Sequence, residues 1–229
     1  MPGRSGDRIA ATLQVEFRTA SALLVAYSIN VSRGGMFLET DVELPIGAPV
    51  TLALEIPGEP AIALPATVAW RRGRDSPDGP HGLGVQFEAV SLALGAAIDR
   101  LVASFQGLTL LLVPGGRTDA ATLQRLARAV FARGELLIAA DVIAAGRMLS
   151  ARIDLLVIDL DDSFDAALAL VRDASSVIPP VPVVALAYAE AARQAARQAG
   201  AVEACTTPIG FADLQGALLR AVGRPVAVT

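Results

Sequence analysis

The sequence predicts two domains of different class: an all-β barrel that ends in a helix, followed by an α/β domain with a parallel sheet. Up to about residue 90, short apolar runs are separated by glycine- and proline-containing turns, as in small barrels. From Leu108 onward, apolar strands alternate with helical patterns, as in parallel sheets. A helix-period segment over 91–105 stands between the two patterns. We therefore predict domains over 1–106 and 107–229.

The barrel strands follow from β-branched and apolar enrichment between turn residues. Strands are predicted at 8–20, 22–30, 36–38, 49–55, 61–70 and 84–87. The polar, glycine- and proline-rich stretch 71–80 is predicted to be a loop. Short strands with turns between them favour a small antiparallel barrel. The apolar residues of the helix after it share one face: Leu94, Ile98, Leu101, Val102 and Phe105.

The second domain is predicted to contain five strand–helix units. Its strands are expected at 108–113, 136–140, 154–160, 182–187 and 202–206. Its helices are expected near 118–133, 141–150, 163–175, 189–199 and 211–222. Such alternation implies a parallel sheet that is buried on both faces. A functional site in a sheet of this kind lies at the carboxyl ends of the strands.

Composition excludes several classes of protein. With 53% hydrophobic and 18% charged residues, the chain is expected to be globular rather than disordered. No apolar run reaches about 18 residues, so no membrane span is expected, and the first residues lack the apolar core of a secretory signal. A net charge of −4 argues against nucleic-acid binding. The single cysteine, Cys205, fits a reducing cytoplasm.

A split motif near the N-terminus is the most specific feature of the chain. Arg4 and Arg8 form an Arg-x-x-x-Arg pair, and Asn30, Ser32 and Gly35 form an Asn-x-Ser-x-x-Gly turn about twenty residues later. The pairing resembles the PilZ domain, which binds cyclic di-GMP. The runs at 47–50, 68–70 and 82–87 add to the resemblance, especially to the variety found in myxobacteria. The resemblance implies a six-stranded PilZ barrel with a C-terminal helix, and no cofactor other than this ligand.

The residue types suit that ligand. Arginine presents a planar fork of donors that fits phosphate oxygens or the edge of guanine, and its flat face stacks on purines. Asn30 and Ser32 carry short side chains that bond to nearby backbone or to a guanine edge. Gly35 lets a ligand approach the backbone closely. The resemblance therefore assigns Arg4, Arg8 and these three residues to cyclic di-GMP.

The second domain resembles a response-regulator receiver, which has a flavodoxin-like fold. A working receiver has an acidic pair after its first strand, where this sequence has Pro114 and Gly115–Gly116. Asp159 stands at the phospho-acceptor position. Ala187 replaces the hydroxyl residue, and Thr207 replaces the lysine that should precede a proline; the chain contains no lysine at all. The resemblance implies a degenerate receiver, or pseudo-receiver, without a metal site, because Mg²⁺ and phosphoryl transfer need those groups.

Three other features of the sequence are explained most simply by structural or surface roles. Asp161 and Asp162 are expected to form a solvated acidic loop that starts a helix. Trp70 is expected in the core, with stacking on a purine as the alternative. Cys205 is expected to be a core thiol. No nucleophile–base pair and no metal cluster is evident, so an enzyme is not expected.

Two functional hypotheses remain from these observations, with a third disfavoured. The first is a cyclic di-GMP effector whose pseudo-receiver acts by binding another, unknown protein. The second is an adaptor with a PilZ fold that does not bind nucleotide. The third is a phosphorylation-controlled regulator, which the missing acidic pair and lysine disfavour. Receivers commonly pair through their last helices, so the face near 187–222 is the candidate surface for a homodimer or for partner docking.

Overall fold

A computed structural model describes residues 11–30, 34–74, 76, 81–89 and 92–228, without the side chains of 27–30 and 226–228. The first part of the chain contains β1 (Ala11–Glu16), α1 (Ala20–Asn30), β2 (Gly35–Glu39), β3 (Pro49–Glu55), β4 (Ile62–Arg72), β5 (Gly82–Phe87) and α2 (Leu92–Ser104). The molecule consists of two compact units, with the border between Ser104 and Phe105. The chain returns to the first unit at Arg224, after Gly223.

The strands of the first unit pair in a closed ring, so the prediction of a barrel is confirmed in part. A short C-terminal strand, β11 (Val226–Val228), completes the ring in the order β1-β11-β2-β5-β4-β3, and β1 pairs with β3. The neighbours are antiparallel except for β1 with β3 and β11 with β2, which are parallel. The expected all-antiparallel arrangement is therefore wrong. Alternate residues, such as Leu52 and Leu54 on β3, fill the interior of the ring.

The strand predicted over 22–30 is wrong, because this segment is the helix α1. The hydroxyl oxygen of Thr19 accepts a hydrogen bond from the Ala22 amide at 3.1 Å, which caps the first turn. Buried residues then recur with a helical rather than a two-residue period: Ala22, Leu23, Val25 and Ala26. Alanine has the highest helix propensity, and here it outweighs the β-branched residues on which the strand prediction depended.

β11 is the sixth strand of the ring, since the segment predicted as a strand over 22–30 forms the helix α1 instead. Its backbone pairs with β1 over Gln14–Glu16 and meets β2 at Glu39. Arg224, just before β11, forms an ion pair with Glu39. The sequence analysis did not predict this strand, because three residues at the end of a chain carry too little pattern to show a period.

The helix predicted after the barrel is present as α2. Leu94, Ala97, Ile98 and Leu101 of α2 are buried and belong to the same core as the inward-facing residues of the ring. Arg100 of this helix forms an ion pair with Glu59 in the turn after β3. The first unit therefore has its own hydrophobic core, closed on one side by α2.

The second unit alternates strands and helices as predicted. Its strands are β6 (Leu108–Val113), β7 (Gly134–Ile138), β8 (Leu155–Asp159), β9 (Val183–Ala187) and β10 (Glu203–Thr206). Its helices are α3 (Ala120–Val130), α4 (Val142–Met148), α5 (Phe164–Ser176), α6 (Glu190–Gln198) and α7 (Phe211–Val222). The carboxylates of Asp119 and Asp141 accept hydrogen bonds from the first turns of α3 and α4.

All five strands of the second unit are parallel, in the order β10-β9-β8-β6-β7. Numbered from β6, this is the order 2-1-3-4-5 of the flavodoxin-like fold. Every residue of β8 and β9 is buried, as expected for central strands that are covered by helices on both faces. The flavodoxin-like prediction for the second domain is thus confirmed by the strand order. The carboxyl ends of β6, β8, β9 and β10 lie along one edge, which positions the loops described below.

Candidate functional site

Most of the residues assigned to cyclic di-GMP lie outside the described part of the chain. This holds for Arg4, Arg8 and Ser32, while Asn30 is the last residue of α1 and its side chain is not described. Gly35 is described and opens β2, where it pairs with Gln86. A Cβ atom at Gly35 would lie 2.1 Å from the carbonyl oxygen of Val85. Only glycine fits against β5 at this point.

The described strands do not by themselves bring the two halves of the motif together. β11 is antiparallel to β1 and parallel to β2, so β1 and β2 run in opposite directions. The start of β1, which follows Arg8, and the start of β2 at Gly35 therefore face opposite ends of the ring. Arg4 stands seven positions before Ala11, and an extended chain of this length spans about 24 Å, slightly more than the length of β1.

The outer wall beside Gly35 carries an aromatic platform made of Phe37 and Trp70. The two residues flank Gly84 in one cross-strand row of β2, β5 and β4. Their ring centroids are 5.2 Å apart and the ring planes are inclined by 12°. A Cβ atom on Gly84 would lie 2.1 Å from the Trp70 ring, so glycine lets the indole lie flat on β5. Trp70 is 42% exposed, and its expected place in the core is wrong.

An arginine covers this platform. The guanidinium carbon of Arg72 lies 4.6 Å from the ring centroid of Phe37 and 5.2 Å from that of Trp70. Gly35 and Phe37 are two residues apart on β2 and face the same side of the sheet, about 7 Å apart along the strand. The wall beside the motif glycine therefore offers a flat apolar surface and a cation, which are the groups that hold a purine and its phosphate.

The carboxyl edge of the second unit contains Asp159 in a closed environment. This residue is 2% exposed, and its Oδ1 atom accepts a hydrogen bond from the Asp161 amide at 2.9 Å. A Cβ atom on Gly115 would lie 2.6 Å from the Asp159 carboxyl carbon, so the glycine loop lies directly against it. Among the described residues, neither Asp159 Oδ2 nor the buried Thr118 Oγ1 has a hydrogen-bond partner. Burial is the main cause that raises the pKa of Asp159, and it favours the neutral acid.

Asp161 contacts three other loops of this edge and is largely shielded from solvent, so the prediction that it belongs to a solvated loop is wrong. Its side chain is 15% exposed. Its Oδ2 atom accepts a hydrogen bond from Thr207 Oγ1 at 2.8 Å, and its carboxylate accepts the Tyr188 amide at 3.0 and 3.2 Å. Arg117 Nε lies 3.5 Å from Oδ2. The neighbouring Asp162 is exposed, as expected.

The positions that a receiver uses for phosphoryl chemistry are thus differently occupied. The loop after β6 supplies Gly115 and Gly116 instead of carboxylates, and Thr207 bonds to Asp161 where a lysine would stand. Within the described residues, no group of three or more His, Cys, Asp or Glu side chains could hold a metal ion. Cys205 is half-buried, and burial raises the pKa of its thiol to about 11, so it is a poor nucleophile.

Sequence reasoning missed the contacts that organise this edge. The guanidinium carbon of Arg117 lies 4.3 Å from the centroid of the Tyr188 ring, while its Nε atom faces Asp161. Arg193 donates from Nη1 to the carbonyl oxygens of Ala187 and Tyr188. The only sequence signal was an acidic residue two positions after the end of a buried strand, because the other partners are distant in sequence and some are backbone groups.

Comparison with known protein families gives a match for the first part of the chain. Residues 2–104 match the family model of the PilZ domain. The match begins before Arg4, includes Gly35 and ends at the last residue of α2. The resemblance of this part of the chain to the PilZ domain is therefore confirmed.

Solved structures similar to this chain include receiver domains. The signal receiver domain of a DNA-binding response regulator from Colwellia psychrerythraea 34H is 18% identical, with 51% of this chain and 99% of that chain covered and a TM-score of 0.45. A receiver domain from Clostridium thermocellum is 19% identical, with 50% and 94% covered and a TM-score of 0.45. One from Methanospirillum hungatei JF-1 is 18% identical, with 50% and 93% covered and a TM-score of 0.43.

Two further comparisons concern curated proteins and membranes. No curated protein gives a significant match to the chain. In the described part of the chain, no helix has the length and apolar character required to span a membrane.

Proposed function

We propose that this protein is a cyclic di-GMP effector, in which the PilZ domain senses the nucleotide and the receiver-like domain transmits the signal by binding another protein. The observation that carries the proposal is the PilZ match over residues 2–104, which includes both halves of the arginine and Asn-x-Ser-x-x-Gly motif. A single cysteine and an intracellular messenger suit a cytoplasmic protein. No reaction is proposed for either domain.

The chemistry of the outer wall supports this ligand. Cyclic di-GMP carries two guanines and two phosphates. Trp70 is 42% exposed, and its ring suits stacking on a guanine that takes the place of the Arg72 guanidinium over the rings and leaves this charge beside the ligand. Arg4 and Arg8 would grip the phosphates or the guanine edges in bidentate fashion. Since the start of β1 lies at the other end of the ring from Gly35, binding requires the arm to lie along the barrel wall.

Calorimetric titration with cyclic di-GMP tests the proposal. Arg8→Ala should remove most of the affinity and Arg4→Ala somewhat less, since Arg8 is anchored by the neighbouring strand β1 and loses less freedom on binding. Loss of a buried charge-assisted contact costs about 2–5 kcal/mol of binding free energy. Arg152→Ala is the matched control, because Arg152 is an exposed arginine of the second unit. Trp70 is the sole tryptophan, so its fluorescence reports stacking directly.

A second measurement tests whether the arm is ordered by the ligand. Amide exchange of residues 1–8 should slow when cyclic di-GMP saturates the protein. Equal exchange rates with and without ligand would exclude this role for the arm. No heat of binding and no change in Trp70 fluorescence at high ligand concentration would leave the alternative, an adaptor with a PilZ fold that binds no nucleotide.

For the receiver-like domain we propose a binding role without phosphorylation. Asp159 is buried against Gly115, and the residues at the metal and lysine positions supply neither carboxylates nor a cation for phosphoryl transfer. The face near 187–222 is the proposed surface for a partner or a second copy. Incubation with acetyl phosphate and Mg²⁺ should leave the intact mass unchanged. A stoichiometric adduct that disappears in Asp159→Asn would support the phosphorylation-controlled alternative.

A further inference from the structure

Three donor groups from three different loops converge on the carboxylate of Asp161. The Tyr188 amide follows β9 and lies 3.0 Å from Oδ1 and 3.2 Å from Oδ2. The Thr207 hydroxyl follows β10 and lies 2.8 Å from Oδ2. The Arg117 guanidinium follows β6 and has its Nε atom 3.5 Å from Oδ2. Asp161 itself follows β8, so its carboxylate connects four of the five loops at this edge of the sheet.

A backbone amide, a hydroxyl and a guanidinium are the groups with which proteins bind phosphate and carboxylate ions. Each of the three is held in place by further contacts. Arg117 is stacked on the Tyr188 ring, and the Tyr188 carbonyl oxygen accepts a hydrogen bond from Arg193 at 2.7 Å. Thr207 is buried. The Arg117 side chain is 52% exposed and Tyr188 is 59% exposed, so these contacts, rather than burial, hold both donors beside Asp161.

We propose that the carboxyl edge of the second unit is a built anion-binding site, and that the protein fills it with its own Asp161 carboxylate. The site has the chemistry to hold a carboxylate or a phosphate ion. In the natural protein the tethered carboxylate excludes such ions and holds the loops after β6, β9 and β10 in one arrangement. This inference concerns the second unit alone and is independent of whether the first unit binds cyclic di-GMP.

The other acidic groups of this edge fit the proposal. Asp162 is exposed and has no ion-pair partner within the described residues, although it is adjacent in sequence. Asp159 faces the same region, and its burial, together with the nearby charges of Asp161 and Asp162, favours its neutral form. The three donors therefore serve the Asp161 carboxylate alone. The cation at the site is Arg117, while Arg193 engages the Glu190 carboxylate and two carbonyl oxygens.

Chemical rescue tests the proposal. Asp161→Ala removes the tethered anion and leaves the three donors without it. The Tyr188 amide should then exchange about tenfold faster or more, since a charge-assisted hydrogen bond is lost. Added sodium acetate or inorganic phosphate should restore slow exchange and raise the melting temperature of this variant. Sodium chloride at equal ionic strength should do neither, and Asp162→Ala, the matched control, should respond to none of these salts.

Further variants keep the test decisive. If Asp161→Ala does not fold, Asp161→Asn retains the shape of the side chain without the charge. It should show faster exchange at Tyr188 than Asp162→Asn, and it should not respond to acetate, because the amide still fills the site. Adding Thr207→Val to Asp161→Ala should weaken the rescue by acetate. Rescue of Asp161→Ala by chloride as effective as by acetate, or wild-type exchange in Asp161→Asn, would overturn the proposal.

Discussion

Three aspartates at the end of β8 and in the loop after it illustrate how surroundings decide the behaviour of a residue. Asp159 is enclosed by the glycine loop, and its pKa is raised chiefly by burial. Asp161, two residues on, is held by an amide, a hydroxyl and a guanidinium. Asp162 is exposed, as expected for a solvated loop, whereas Asp161 is not. The sequence places Asp159 at the end of a strand but does not distinguish Asp161 from Asp162, because the groups that hold Asp161 come from other loops.

The raised pKa of Asp159 predicts a definite pH dependence of stability. Its folded pKa lies above the unfolded value, so the unfolded state loses its proton first as the pH rises. The contribution of the neutral Asp159 carboxyl to the free energy of unfolding is fully present below the unfolded pKa. It is lost as the pH rises through the folded pKa. Asp159→Asn remains neutral, so it should be more stable than the natural protein at pH 7 and should lose this advantage towards pH 3.

Urea unfolding of the two proteins between pH 3 and pH 8 measures this difference. Asp162→Asn is the control, since it makes the same change at an exposed aspartate three residues away. An advantage of Asp159→Asn that grows towards low pH would contradict the assignment of Asp159 as a buried neutral acid.

Gly84 is the residue on which the aromatic platform depends. In Gly84→Ala, the new methyl group would lie 2.1 Å from the Trp70 ring, so the indole must move off β5. The displacement should cost about 1–3 kcal/mol of stability, as overpacking usually does, and should shift the fluorescence of the only tryptophan. Gly95→Ala in α2 is the control, because nothing lies within 4 Å of its new methyl group. An unchanged spectrum in Gly84→Ala would exclude the described platform.

At the scale of elements, the predictions succeed where the sequence has a strong local period. The strands 49–55 and 108–113 have the predicted bounds, and all five strand–helix units of the second domain are present. The strand predicted over 22–30 is wrong because a hydroxyl cap at Thr19 and several alanines favour a helix there. β11 was missed because a three-residue strand is defined by its distant partners, β1 and β2, rather than by its own pattern.

Some residues of the candidate sites could likewise be predicted from the sequence, and others could not. The receiver positions Asp159, Ala187 and Thr207 could be found from the ends of the predicted strands, since that is where such sites lie. The partners of Asp161 could not be found, because a backbone amide at Tyr188 and an arginine 44 residues away leave no mark on the local pattern. The platform of Phe37 and Trp70 depends on the register of three strands across Gly84, which single-sequence periodicity does not fix.

The closure of the ring by β11 predicts a clear effect of shortening the chain. Removal of residues 224–229 leaves the backbone of Gln14–Glu16 without this partner and removes the ion pair of Glu39. The first unit should lose about 2–4 kcal/mol, since each backbone hydrogen bond contributes about 1 kcal/mol. Arg224→Gln keeps the strand and should lose less, about 1 kcal/mol, because the pair is partly exposed.

Amide exchange at Gln14–Glu16 checks this prediction. Exchange there should be faster in the shortened chain than in the natural protein, and nearly unchanged in Arg224→Gln. Removal of Thr229 alone is the control for shortening as such. Equal exchange at these three amides in all the proteins would show that β11 does not complete the ring in solution.

At the scale of the molecule, the two units have separate hydrophobic cores. One core contains residues of β1 to β5 with the helices α1 and α2, and another contains residues of β6, β8 and β9 with α5. No residue is common to both clusters. A ligand or a substitution that acts on one core should therefore change the stability of that core first.

Thermal unfolding should accordingly proceed in two steps that can be assigned independently. Cyclic di-GMP at one hundred times its dissociation constant should stabilise the PilZ unit by about 2.7 kcal/mol and raise only its transition. Asp161→Asn should lower only the other transition, because it weakens contacts that lie wholly within the second unit. Differential scanning calorimetry of the natural protein and of Asp161→Asn, each with and without ligand, measures the transition temperatures under all four conditions. A single transition that moves as a whole in every case would show that the units unfold together.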